Sequence, residues 1–271
     1  EVTFGNGSLT INNFDMTVQH LDASGQVVTT IVDGSGAHNA SPAVPEIAPE
    51  IAPPQEEVVL APAPVLPADF SVKAGLDQSA TLTGTSDQDH LSIDFSARSR
   101  GVTFKAPKPD GSVDIGSGRI DYVGIEHFSV VGTAFNDELN GGNGDNHLVG
   151  GAGDDVLRGG AGHNILDGGA GNDRYVIQNS DDKIIDESGD DLVTTYADYG
   201  IHAGIETVAL GKGGLTVTGN AENNRVWGSD GRDTVHGMAG DDYIDGKDGD
   251  DVIHGGDRKS TRLNSSHTDI S

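Results

Sequence analysis

With 271 residues the chain has room for one or two small domains, and 43 Asp and Glu against 16 Lys and Arg give it a formal charge of −27, a sign that excludes nucleic acid as a partner. Its 40 glycines, 34% apolar and 5% aromatic residues exclude a thick ordinary core, and the lack of cysteine excludes disulfides and thiolate metal sites. No apolar run approaches the roughly 20 residues of a membrane-spanning helix, and a compact state of this charge repels itself unless something cationic belongs to it.

Residues 1–36 read as β structure. The stretch 2–21 alternates apolar and polar residues around a turn at Gly5, Asn6 and Gly7, and a second run, 26–32, follows a turn at Ser24-Gly25. With Glu1 set against the first strand, the segment is expected to be the β-rich remnant of an upstream domain, and the chain a fragment or a processed product. Residues 37–68 hold eight of the ten prolines, from Pro42 to Pro67, and read as an extended, semi-rigid linker, with a proline-rich docking motif as the alternative. Residues 69–131 read as a β-rich cap with short strands at 80–84, 90–96, 101–106 and 127–132, separated by turn signals such as Pro109-Asp110-Gly111.

Strict nine-residue periodicity follows. Residues 132–176 divide into GTAFNDELN, GGNGDNHLV, GGAGDDVLR, GGAGHNILD and GGAGNDRYV. Residues 219–256 hold GNAENNRVW, GSDGRDTVH, GMAGDDYID and GKDGDDVIH. Residues 177–218 read as an irregular spacer and cap with strand-like pieces at 183–186 and 214–219. Gly124-Ile125-Glu126 and Gly204-Ile205-Glu206 precede the two blocks as a shared lead-in.

Within the repeat, glycine recurs at positions one, two and four, Asp or Asn at six and a large apolar residue at eight. Position eight is Leu139, Leu148, Leu157, Leu166 and Tyr175, then Val226, Val235, Ile244 and Ile253. One apolar residue in nine is buried only by stacking repeat on repeat. Glycine lets the backbone turn tightly and aim its carbonyls inward, and the position-six side chain adds a hard oxygen, the donor set that calcium prefers. The candidate ligands are Asp137, Asn146, Asp155, Asn164, Asp173, Asn224, Asp233, Asp242 and Asp251. A flexible glycine-rich linker would have no reason to keep either position six or position eight.

GGAGDDVLR and GGAGNDRYV carry the pattern most fully. They resemble the haemolysin-type, or repeats-in-toxin, calcium-binding nonapeptides. The resemblance implies an all-β chain, a parallel β-roll (β-helix) with Ca2+ as its cofactor. It also implies that two nonapeptides make one coil, so that turns 18 residues apart face each other. One side of the first block then carries Asp137, Asp155 and Asp173, and the other Asn146 and Asn164. The amide side should bind more weakly, with Asp145 beside Asn146 as partial compensation and His163 beside Asn164 as none. In the second block Asp233 pairs with Asp251, and Asn224 with Asp242. The family further implies a secreted bacterial protein, extracellular or at the cell surface, exported by a type I secretion apparatus and folded by calcium outside. The alternative is the C-terminal part of a secreted hydrolase or of a large surface adhesin.

At 257–271 the acidic, glycine-rich character ends. DRKSTRLNSSHTDIS resembles the translation of a sequencing adapter, and its position eight falls on Arg262. The segment is expected to be an artefactual tail that projects from the roll, with a short basic tail as the alternative. HExxH, GxSxG and GxxxxGK motifs are lacking, so no catalytic residue is assigned and enzymatic activity stays open. His147, His163, His236 and His254 are expected to be solvated.

Overall fold

The computed structural model describes residues 2–4, 8–12, 16–21, 27–33, 36–37, 69–73, 79–84, 88–106, 109–114, 118–256 and 261–263. Apart from Ala37, the linker expected over 37–68 lies outside them. The described residues form 27 strands and no helix. Each nonapeptide gives one short strand at positions seven to nine, with position eight turned inward between two outward neighbours, and in His147–Ala152 and Ile165–Ala170 the strand runs on through position three. The burial pattern of Glu138–Asn140, Val156–Arg158, Tyr243–Asp245 and Val252–His254 is the same, with only the central residue inside.

Successive strands alternate between two faces, so strands 18 residues apart pair in parallel. Leu139 lies beside Leu157, Leu157 beside Tyr175, and Tyr175 beside Val193. This face is a nine-stranded sheet running from Thr103–Lys105 to Thr261–Leu263. On the opposite face Leu148 lies beside Leu166, and Leu166 beside Ile184. The two rows of position-eight side chains meet inside the coil, and all of them are essentially inaccessible to water. Each such burial is worth about 2 kcal/mol. The fold is therefore an all-β parallel β-roll.

The segment 177–218 is no irregular spacer. Lys183–Ile185, Leu192–Thr195, Thr207–Leu210 and Thr216–Thr218 each pair with strands of the repeats. One coil is short: Val193 pairs with Val208, a step of 15 residues in place of 18. The shortening falls in the turn between Leu192–Thr195 and Tyr199–Gly200. There Thr195 Oγ1 donates to the Ala197 carbonyl (2.6 Å) and accepts the Ala197 N–H (3.1 Å). On that face the seven-stranded sheet ends at Lys183–Ile185 and a four-stranded sheet begins at Tyr199–Gly200, while the nine-stranded sheet passes through unbroken.

At the N-terminal end, Ser79–Thr83 pairs in parallel with Arg119–Val123, which forms an antiparallel hairpin with Gly111–Asp114. Phe128 closes this cap against Tyr122 and Phe104, with ring centroids 5.3 and 5.6 Å away. Val2–Phe4 and Ser8–Asn12 add antiparallel to Asp69–Lys73 and Ser79–Thr83, so these strands share the cap's sheets. At the other end the tail departs from expectation. Thr261–Leu263 continues the roll, with Arg262 beside Ile244 at the regular step of 18. Main-chain pairing, which is indifferent to side-chain identity, extends one strand past the point where the glycine pattern fails.

Candidate metal centres

The turns stack as the strands do, and the position-six side chains form two rows inside them. Asp137, Asp155, Asp173, Asn146 and Asn164 are almost wholly buried, as are Asn224, Asp233, Asp242 and Asp251. One oxygen of each upper residue accepts the backbone N–H of the equivalent residue one coil below. Asp155 Oδ1 accepts from Asp137, Asp173 Oδ1 from Asp155 and Asp191 Oδ1 from Asp173, each at 2.7 Å. Asp251 Oδ1 accepts from Asp233 (2.9 Å) and Asp242 Oδ1 from Asn224 (3.0 Å). On the amide side Asn164 Oδ1 accepts from Asn146 (3.0 Å).

The second oxygen separates these residues. In Asp155, Asp173, Asp191 and Asp251 it is buried without a hydrogen-bond partner, a costly state for a carboxylate. Burial, with the neighbouring carboxylates, pushes Asp155 up to about 7, Asp191 to about 7 and Asp173 to about 6. Main-chain carbonyls crowd the same turns. A Cβ on Gly169 (φ +94°) would lie 2.1 Å from the Gly151 oxygen, and one on Gly171 (φ +138°) 2.1 Å from the Gly153 oxygen. Spare buried carboxylate oxygens among stacked carbonyls, with no nitrogen or sulfur donor, fit a hard cation such as calcium.

Asp137 and Asp233 have no oxygen to spare. Asp137 Oδ2 accepts the Thr133 N–H (2.5 Å) and its Oδ1 the Val102 N–H (2.6 Å). Asp233 Oδ2 accepts the Ser229 N–H (2.9 Å) and hydroxyl (2.8 Å), and its Oδ1 the Gly214 N–H (3.0 Å). Both head their rows, and both have Thr or Ser at position two of their own turn. In the first block the asparagines fill their turns with protons. Asn146 Nδ2 donates to the Gly144 carbonyl (2.9 Å) and to Asn164 Oδ1 (3.0 Å), and Asn164 Nδ2 to Asp182 Oδ1 (2.9 Å). There the amide protons occupy the oxygen-rich space that opens beside Asp155 and Asp173. Asn224 Oδ1 accepts the Asn220 N–H (3.1 Å).

Asp145 does not compensate for Asn146. It points outward, and its Oδ1 accepts the His163 N–H (2.7 Å), the main cause of its lowered pKa. On the other side of the coil position five forms an outer row of its own, in which Asn136 accepts from Asp154, Asp154 from Asn172, and Asn172 from Asp190. Asp182 and Asp191 are position-six residues outside the recognised blocks, both buried. The nine-residue count carried on from Val176 places them at six, with Ile184 and Val193 at eight. Loss of the glycines at positions one and two hid them.

The family model of the RTX calcium-binding nonapeptide repeat (4 copies) matches residues 129–157, 140–175 and 218–253. Both blocks are therefore calcium-binding repeats of that type, and calcium is their ion. The matches leave out the coil that carries Asp182 and Asp191. Comparison with curated proteins finds no match.

Proposed function

We propose that this chain is the calcium-folded module of a secreted or cell-surface bacterial protein, with the position-six rows as its ligands. The observation that carries the reading is the row of buried, unpartnered oxygens on Asp155, Asp173, Asp191 and Asp251, in a chain with a net charge of −27. Asp155, Asp173 and Asp251 are the principal ligands among the recognised repeats, with Asp242 beside Asn224. Asp137 and Asp233 reach an ion only by giving up their hydrogen bonds to Thr133 and Ser229. Asn146, Asn164 and Asn224 are the weak positions, since an amide brings no charge.

A bound calcium ion supplies the positive charge that the facing carboxylates lack. Without it the rows repel, and the chain stays unfolded where calcium is scarce, a state suited to passage through a type I secretion apparatus. At extracellular calcium, on the order of millimolar, the turns close and the strands stack. Among the described residues no helix is long and apolar enough to cross a membrane.

Far-UV circular dichroism of the full chain tests the reading. In chelator the spectrum should be mostly coil, and calcium should convert it to β. Magnesium at equal concentration should do much less, because its smaller octahedral shell dehydrates reluctantly. A β spectrum in excess chelator at pH 8 would refute the reading.

A further inference from the structure

At the end of the first block the stacked turns 168–173 and 186–191 differ from those before them. The Gly171 N–H donates to the Ser188 carbonyl (3.1 Å) and the Ser188 N–H to the Gly169 carbonyl (3.3 Å), so one turn lies directly on the other. The residue one coil above Gly168 is Asp186, where Gly132, Gly150 and Gly168 stand in the lower coils. Those glycines leave room for a carboxylate: a Cβ on Gly150 would lie 2.2 Å from Asp155 Oδ2, and one on Gly168 2.2 Å from Asp173 Oδ2. Asp186 instead brings a third carboxylate to the turn. One carboxylate oxygen from each of Asp173, Asp186 and Asp191 lies within 4.8 Å of the others.

Calcium–oxygen bonds of about 2.3–2.6 Å let one ion reach oxygens up to about 5 Å apart, so a single ion can touch all three. Asp173 Oδ2, Asp186 Oδ1 and Asp191 Oδ2 are each buried without a hydrogen-bond partner, and Asp173 and Asp191 are at least 99% buried. The other Asp186 oxygen accepts the Tyr175 hydroxyl, which fixes the side chain over the turn.

We propose that Asp173, Asp186 and Asp191 form a three-carboxylate site for one hard cation, binding calcium more tightly than the other turns and anchoring the first block to the segment that follows it. The proposal rests on the reading that the oxygen-lined turns hold calcium, and adds a ligand at position one that the repeat pattern reserves for glycine. Three negative charges around one divalent ion exceed what two facing position-six residues provide, and affinity follows ligand charge. Held early, this ion fixes the coil on which the shortened turn at 196–198 is built.

Calorimetric titration of calcium into the chelator-stripped full chain tests the site, beside Asp186→Asn, Asp186→Gly and Tyr175→Phe. The wild type should show one step about tenfold tighter than the rest. Both Asp186 variants should lose that step and keep the weaker ones. Tyr175→Phe should keep it, because the hydroxyl only orients Asp186. A terbium titration gives a second readout that does not depend on the Asp186 variants folding. The first equivalent should show tyrosine-sensitised emission in the wild type, and much less in Tyr175→Phe. Unchanged isotherms for both Asp186 variants, or equal loss of the tight step in Tyr175→Phe, would overturn the proposal, even with calcium-driven folding intact. Absence of both calcium heat and calcium-driven folding in the wild type would instead refute the underlying reading.

Discussion

A carboxylate at position six serves two purposes with two oxygens: one joins coils through the backbone, and the other is left for an ion. Asp155 shows both, because its Oδ1 holds the Asp137 N–H while its Oδ2 has no partner. Asp155→Ala should therefore weaken calcium binding by more than tenfold, about 1.4 kcal/mol. Asn146→Ala and Asn164→Ala should cost much less, since their amide protons already lie on the Gly144 carbonyl and the Asp182 carboxylate. Equal losses in parallel calcium titrations would contradict the assignment. Met238 and Lys247 stand at position two with φ of +72° and +65°, where the other turns favour glycine. Relieving the left-handed strain at Met238 outweighs the entropy of the added glycine. Met238→Gly should stabilise the calcium-loaded roll by about 0.5 kcal/mol in thermal melts, and a lower melting temperature would count against it. Positions six and eight were legible in the sequence because nine residues is the period at which identical side chains share an environment. Asp186 was not, because a carboxylate among many acquires meaning only from the residues stacked beside it.

At the scale of the coil, the 18-residue step was implied by the resemblance to the calcium-binding nonapeptides, and the sorting of Asp from Asn followed from that step. The continuation through 177–194 did not. There the glycines are replaced while Asp182, Asp191, Ile184 and Val193 keep their places, so the solenoid persists where its most visible marker is lost. Neither did the shortened coil, which depends on the three-residue turn at Tyr196–Asp198. The Asp row also makes the coil sensitive to acid. In the folded, calcium-free state Asp155 and Asp191 are raised to about 7 and Asp173 to about 6, chiefly by burial, against about 3.9 in an unfolded chain. Between these values the folded state binds more protons than the unfolded one. This stabilisation is complete below about pH 4 and is lost as pH rises through about 6 to 7. Circular dichroism in chelator should show more β structure at pH 5 than at pH 8, while calcium affinity falls at pH 5 as protons compete for the same oxygens. More β structure at pH 8 in chelator would reverse the sign and refute the argument.

For the whole molecule, one nine-stranded sheet joins the cap, both repeat blocks and the strand at Thr261–Leu263, so the roll is one stacked body whose stability passes from coil to coil. Its thin core of two apolar rows is set against a net charge of −27, and calcium in the turns is what lets the stacked state win. Hydrogen–deuterium exchange of the full chain, in chelator and in millimolar calcium, tests this claim most directly. The backbone N–H groups of Asp137, Asp155, Asp173 and Asp233 donate to the row above and report its closure. They should exchange freely in chelator at neutral pH and become strongly protected in calcium, together with the strands on both faces. Strong protection of these amides already in chelator would contradict the account.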